Sequence, residues 1–395
     1  MIEGLISNIK DSGLNEIFWI FIGMLSTKLI EGLCNYFREK IGRIKNSKNI
    51  SGVDSEFTNN NSIIGLAHAY PYYDINNIKS KNTDIELFFD CPTHIKEEIL
   101  KIDPEFIFKE DKSFDGGNLF NDLVSITEID NLIELINKHK EIVGKKILIK
   151  LEKNEEIFNG EKFGVHRVSV SKSGKDEDST IDISFFKTDY YTHMVFRSIY
   201  KELIENNHPI KDVMKVNELS KYSPFTTSFG VNTYIIIDNY DSNKKNIIFA
   251  KRSKYTGTDS EECKWHVSMN EGLTITDIDY NGKISINSCV IRGLNEELGI
   301  REENSKIKDV RFMDLFLHKG NFEIGITSFV TMKISFDELN TKYMSAKDGE
   351  LETDEIKDVR FRKKDIDNFI SDNSGKFTDA GLYTLGMIRS REDII

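Results

Sequence analysis

Arg292-Gly293-Leu294-Asn295-Glu296-Glu297-Leu298-Gly299-Ile300 sets an arginine and two adjacent glutamates on one amphipathic stretch that runs into a glycine. Working outward from it, residues 285–298 are expected to form a helix. Ile286, Cys289, Val290, Leu294 and Leu298 recur at helical spacing and supply one face for burial. Ser285 is a residue type that caps the first turn, and Gly299 suits the left-handed position after the last. Arg292 and Glu296 are four apart and therefore neighbours on the helix. Glu297 is turned by about 100° from Glu296, so both carboxylates can border one pocket. Such a pair suits Mg²⁺, which takes hard oxygen ligands and is typically held by one or two carboxylates, waters and the phosphates of a substrate. On a plain solvent face the same Arg292–Glu296 pair would be an exposed ion pair worth roughly 0.3–0.5 kcal/mol.

The order arginine, any, apolar, any, Glu, Glu, any, Gly, apolar resembles the second half of the Nudix box, the signature of hydrolases that cleave nucleoside diphosphates linked to another group. The order of elements over residues 225–395 also resembles the domain of that family. Residues 233–238 (TYIIID) and 246–250 (NIIFA) are apolar, β-branched runs expected as two strands joined by a polar turn, with Lys251-Arg252-Ser253 closing the second. The stretch Trp265 to Leu273 sits where the family places a tryptophan and a Gly-rich turn, of which Gly272 remains. Residues 324–334 are expected as a core strand, and residues 355–361 and 364–370 resemble the strand and short helix that close the family fold. Three departures stand out. Gly293 occupies the place of a family glutamate, Ile284 stands where another glutamate precedes the arginine, and the segment from Gly272 to Arg292 is longer than the family's. Asp277, Asp279 and Asn281-Gly282 fill that extra length with turn chemistry, as expected of a surface hairpin.

The resemblance implies an α+β chain with a C-terminal α/β/α sandwich built on a mixed sheet. It also implies a Mg²⁺-dependent hydrolase, with Mn²⁺ an alternative metal, that cleaves the pyrophosphate bond of a nucleoside diphosphate derivative. Arg292, Glu296 and Glu297 would be catalytic, with Glu296 and Glu297 as metal ligands. Arg252, Trp265 and Gly272 would contact a small nucleotide ligand, although a tryptophan beside Val267 equally suits a core. His266 can serve as an acid or base near neutral pH or as a core histidine. With no glutamate at Gly293 the general base is unassigned. Glu271, or the acidic run Asp348, Glu350, Glu352, Asp354 and Glu355, can supply a carboxylate, unless that run is only a solvated loop. A second reading is a sensor: a Nudix-like nucleotide-binding domain with reduced turnover, coupled to the N-terminal helix or the middle domain.

Composition bounds the remaining possibilities. The 395 residues are 39% hydrophobic and 30% charged, the profile of a folded chain long enough for two or three domains. A net charge of −12 argues against binding long nucleic acid, which requires basic patches to replace counterions. Cys34, Cys91, Cys263 and Cys289 form no CxxC pair, so neither a zinc site nor a disulfide framework is expected and a reducing cytoplasm suits them.

Residues 1–45 carry a second feature. Residues 17–25 (IFWIFIGML) are apolar on every side, and Leu29, Ile30, Leu33, Phe37, Ile41 and Ile44 continue at helical spacing into one long hydrophobic helix. Membrane association would run through residues 15–37, of which 17–37 reach bilayer-spanning length if Lys28 and Glu31 are tolerated, and Arg38, Lys40, Arg43, Lys45 and Lys48 follow as a cytoplasmic flank would. The segment is either an anchor at the inner face of a membrane or a helix for homo-oligomerisation. Residues 46–61, rich in Ser, Asn and Lys, suit a linker. Residues 62–215 are expected as a separate α+β domain of no recognised family. Strands are expected at 86–90, 145–151, 166–171 and 181–186, and helices at 93–102, 127–139 and 191–205.

Overall fold

A computed structural model describes residues 62–68, 75, 77–171, 180–238, 244–254, 263–279, 281–301, 307–389 and 391. The expected N-terminal helix and linker lie outside them. Among the described residues no helix is long and apolar enough to cross a membrane.

Among the described residues the order begins with strand β1 (Ile63–His68) and continues through β2 (Asn77–Glu86), helices α1 (Thr93–Ile102), α2 (Asn121–Thr127) and α3 (Leu132–Glu152), strands β3 (Glu161–Ser171) and β4 (Thr180–Asp189), and helix α4 (Tyr190–Glu205). After the single-turn α5 (Val216–Leu219) come β5 (Phe229–Asp238), β6 (Lys245–Arg252), β7 (Trp265–His266), β8 (Met269–Gly272), α6 (Ile286–Leu298), β9 (Ile307–His318) and β10 (Glu323–Met332). Helices α7 (Phe336–Tyr343) and α8 (Gly349–Glu352), strand β11 (Thr353–Arg360), and helices α9 (Lys363–Asp372) and α10 (Asp379–Arg389) complete it.

The larger sheet has the order β1-β9-β10-β5-β6-β11, with β7 alongside β6 and β8 alongside β5. Only β5 and β10 run parallel, so the sheet is mixed. The run TYIIID lies in β5, which is buried from Phe229 to Ile237 because strands flank it and helices cover both its faces. Val231, Ile235 and Ile237 pack with Leu294 and Leu298 of α6 on one face, while Tyr234 and Ile236 pack with Phe369 and Ile388 of α9 and α10 on the other. This is the expected sandwich.

A smaller sheet, β2-β4-β3, packs through β4 against α4, which packs on α3, and α3 in turn on α1. Strand β1 pairs with β9, placing Ile63 opposite His318, and buried residues of both halves belong to one continuous cluster. Three local expectations need correction. Residues 145–151 continue α3, because Leu135, Ile136, His139, Val143 and Ile147 keep a helical burial rhythm that outweighs the β-like run Ile147-Leu148-Ile149. Helix α3 begins at Leu132 and not at Thr127, since Glu128 takes a left-handed conformation that ends α2. The strand expected at 86–90 lies earlier, in β2, whose polar sequence reflects an edge strand paired only with β4.

Candidate functional site

Helix α6 is fixed at both ends by its own sequence. The Ser285 hydroxyl accepts the Ser288 N–H at 3.1 Å. Gly299 closes the helix at φ 65°, where a β-carbon would also meet the Lys342 carbonyl oxygen at 2.4 Å. Between these ends Leu294 and Leu298 are fully buried, which aims Arg292, Glu296 and Glu297 toward β8 and the segment that follows it.

Arg292 is the hub. Its Nε and Nη2 donate to the two carboxylate oxygens of Asp277 at 2.9 Å each, Nη2 also donates to the Gly272 carbonyl at 2.8 Å, and Nη1 donates to Glu296 Oε2 at 3.0 Å. Glu271 Oε1 lies 3.2 Å from the same Nη1. Burial works against the guanidinium charge, but Asp277 and Glu271 outweigh it and raise its pKa further. Asp277 is fully buried and also accepts the Thr274 N–H at 2.8 Å. The expected pair of Arg292 and Glu296 is therefore one arm of a network that sequence reasoning did not find. Asp277 was legible only as a turn residue.

Glu297 is buried and accepts the Asn270 N–H at 3.2 Å. Burial pushes its carboxyl well above the ordinary range, the negative fields of Glu271 and Glu352 push the same way, and Arg252 opposes them. Glu271 is raised by burial against the pull of Arg292. Glu271 also sits beside the glycine of the motif: a β-carbon on Gly293 would lie 2.6 Å from Met269 Sδ and 3.0 Å from Glu271 Cβ. The space next to Arg292 is thus filled from β8. The acidic run is no solvated loop, for α8 docks on α6 through the Asp348 N–H, which donates to the Glu296 carbonyl at 3.0 Å. It brings Glu352 within electrostatic reach of Glu297.

The opposite face of the same strands carries a small polar cleft. Gly230 pairs with Gly272 and Asn232 with Asn270, so these four share a face, while Val231 and Glu271 turn toward α6. Asn232, Arg252, His266, Asn270, His318 and Glu323 are among the residues lining a cavity of about 70 Å³ there. Asn232 Oδ1, Arg252 Nε, His266 Nε2 and His318 Nδ1 are buried and meet no hydrogen-bond partner among the described residues. Four such atoms around one cavity are the mark of a site shaped for a polar ligand, because each costs free energy while unpaired. His266 shares its other ring nitrogen with Thr378 Oγ1, and burial pushes its pKa well below the usual histidine value. It is a neutral hydrogen-bonding group. Asn232, a lone amide inside an apolar strand, was the available sequence signal.

The sequence candidates therefore divide. Arg292, Glu296, Glu297 and the Gly272 carbonyl come together on the α6 face, and Arg252 lines the cleft. Trp265 does neither. Its ring is buried edge-on to Phe369 at 5.1 Å and its indole N–H donates to Asn373 Oδ1 at 3.1 Å, so it packs beneath α9 and offers no stacking platform.

No family model matches the chain, and no curated protein does. Among solved structures, a mutT/nudix family protein from Listeria innocua shares 16% identity over 41% of this chain and 92% of its own, with a TM-score of 0.28. The NUDIX domain of Shewanella oneidensis NrtR complexed with ADP ribose shares 10% identity over 42% of this chain and 88% of its own, with a TM-score of 0.23. An Ap4A hydrolase from C. elegans shares 12% identity over 41% and 95%, with a TM-score of 0.25.

A buried carboxylate, Glu297, and a half-buried one, Glu271, both of raised pKa, fit a divalent cation, whose charge would favour their ionised forms. Among the described residues no group of three histidine, cysteine or acidic side chains forms a ready cage.

Proposed function

We propose that this chain is a metal-dependent hydrolase of the Nudix kind that cleaves a pyrophosphate linkage in a nucleoside diphosphate derivative. The observation that carries the reading is the arginine-centred network that holds Glu271 and Glu296 on one guanidinium, with Glu297 buried beside them. Mg²⁺ or Mn²⁺, held by Glu297 with Glu296 or Glu271 and the substrate phosphates, would supply charge neutralisation and an acidified water. Arg292 keeps the carboxylates in register, and Asp277 keeps Arg292 charged and oriented. Glu271 takes the role of the glutamate absent at Gly293 and is the candidate general base, its raised pKa suiting proton transfer nearer neutrality. The polar cleft on the opposite sheet face, with Asn232, Arg252, His266 and His318, would take a small polar part of the ligand.

The filled space at Gly293 favours a second reading, a nucleotide sensor of reduced turnover. Incubating the full chain with ADP ribose, dinucleoside polyphosphates and nucleoside triphosphates, with and without Mg²⁺, separates the two. Metal-dependent product release supports the hydrolase, whereas binding without release supports the sensor.

A further inference from the structure

The N-terminal half brings cations to the edge of this site. Lys162 on β3 bridges to Thr274, and Phe163 beside it donates its N–H to the Leu273 carbonyl at 3.1 Å, which places Lys162 next to the chain that carries Gly272 and Glu271. Its ammonium forms no ion pair among the described residues. Burial pushes its pKa down, and the carboxylates whose fields oppose that belong to Glu323 of the cleft, Glu271 and Asp189, with Arg197 adding to the depression.

Arg197 on α4 joins two spaces. Its Nη2 donates to Asn321 Oδ1 at 2.7 Å, and Asn321 lines the polar cleft. The same side chain lines a groove of about 270 Å³ between α3 and α4 together with Lys146, Lys150 and Lys201. Its Nε is buried and meets no hydrogen-bond partner among the described residues. His193, one turn earlier on α4, is buried against Thr227 Oγ1 at 2.9 Å and is kept neutral by burial and by the fields of Lys162 and Arg197. Positive charge thus collects at one edge of an acidic site, in a chain whose net charge is −12.

We propose that Lys162 and Arg197 form a binding site for the anionic part of the substrate, so that residues 62–225 supply phosphate contacts and residues 226–395 supply the carboxylates. The inference deepens the hydrolase reading and rests on it for the identity of the site. Carboxylates repel a phosphate chain, and cations on the far wall offset that repulsion. Lys162 acts as a point charge, and Arg197 presents donors beyond the one spent on Asn321. The ligand class is one with two or more linked phosphates, long enough to pass from the cleft toward the groove.

The test is calorimetric titration of the full chain with inorganic pyrophosphate in EDTA and then in Mg²⁺. Wild type should bind in EDTA, and Lys162→Met and Arg197→Gln should each weaken that binding by about tenfold or more, while Lys162→Arg stays within about threefold of wild type. Should Lys162→Met fail to fold, Arg197→Gln and Lys162→Arg still decide the matter. Equal affinity in Arg197→Gln, Lys162→Met and wild type overturns the proposal, as does absence of pyrophosphate binding to wild type. Glu297→Gln separates the two claims. Binding in EDTA that survives in Glu297→Gln and depends on Lys162 supports the cation site, and absence of turnover in wild type removes only the hydrolase.

Discussion

Arg292 grips Asp277 with two parallel hydrogen bonds of 2.9 Å, one to each carboxylate oxygen. The pair joins helix α6 to the loop after β8 and sets the angle from which Arg292 also reaches Glu296 and the Gly272 carbonyl. Asp277→Ala leaves the half-buried guanidinium short of its main partner and is expected to cost about 3 kcal/mol in chemical denaturation, with metal-dependent turnover falling at least about tenfold. Asp277→Asn, which keeps the shape and one acceptor, should cost about half as much. Unchanged stability in Asp277→Ala would show the pair to be incidental.

Gly293 is a packing glycine. Placing a glutamate there should not raise activity, because its β-carbon would collide with Met269 Sδ and crowd Glu271. Gly293→Glu is expected to destabilise the fold by roughly 1–3 kcal/mol, and Gly293→Ala by less. Trimming Met269 to Ala in the Gly293→Ala background should recover part of the loss. A rise in turnover in Gly293→Glu would mean that the absent carboxylate, and not Glu271, limits the reaction.

Glu271→Gln removes a carboxylate while keeping volume and a hydrogen-bonding group. Turnover should fall by about 10²-fold or more with the melting temperature nearly unchanged, and the acidic limb of the rate–pH profile should move. Loss of activity through unfolding would instead assign Glu271 to the architecture.

The buried carboxylates also predict a pH dependence. The folded pKa of Glu297 lies above its usual value of 4.5 through burial and the fields of Glu271 and Glu352. A raised folded pKa contributes stability that is fully present below the unfolded value and is lost as pH rises through the folded one. The metal-free protein should therefore lose melting temperature as pH rises above the ordinary carboxylate range, and Glu297→Gln should flatten that slope. Mg²⁺ should stabilise wild type more as pH rises. A steeper slope in Glu297→Gln would contradict the burial of an ionisable group there.

Much of the fold was legible because local signals agreed with tertiary packing. Ser285, the apolar stripe of α6 and Gly299 marked one helix from both ends, and the β-branched run of β5 marked a strand covered on both faces. Polar edge strand β2 and the Ile-rich end of α3 misled for the converse reason, since their partners decide their state and lie far away in sequence. The site divides in the same way. Contacts at i and i+4 such as Arg292–Glu296 follow from helical geometry, whereas Asp277, Glu271, Lys162 and Arg197 meet the site only through chain reversals and a sheet junction that no spacing encodes.

The most direct test is nucleotide release from ADP ribose, dinucleoside polyphosphates and nucleoside triphosphates by wild type and Glu297→Gln, each with Mg²⁺ and with EDTA. The account predicts cleavage of at least one of these at a pyrophosphate linkage by wild type, abolished by EDTA and reduced by about 10²-fold or more in Glu297→Gln. Equal rates in wild type and Glu297→Gln, or cleavage that persists in EDTA, would contradict it.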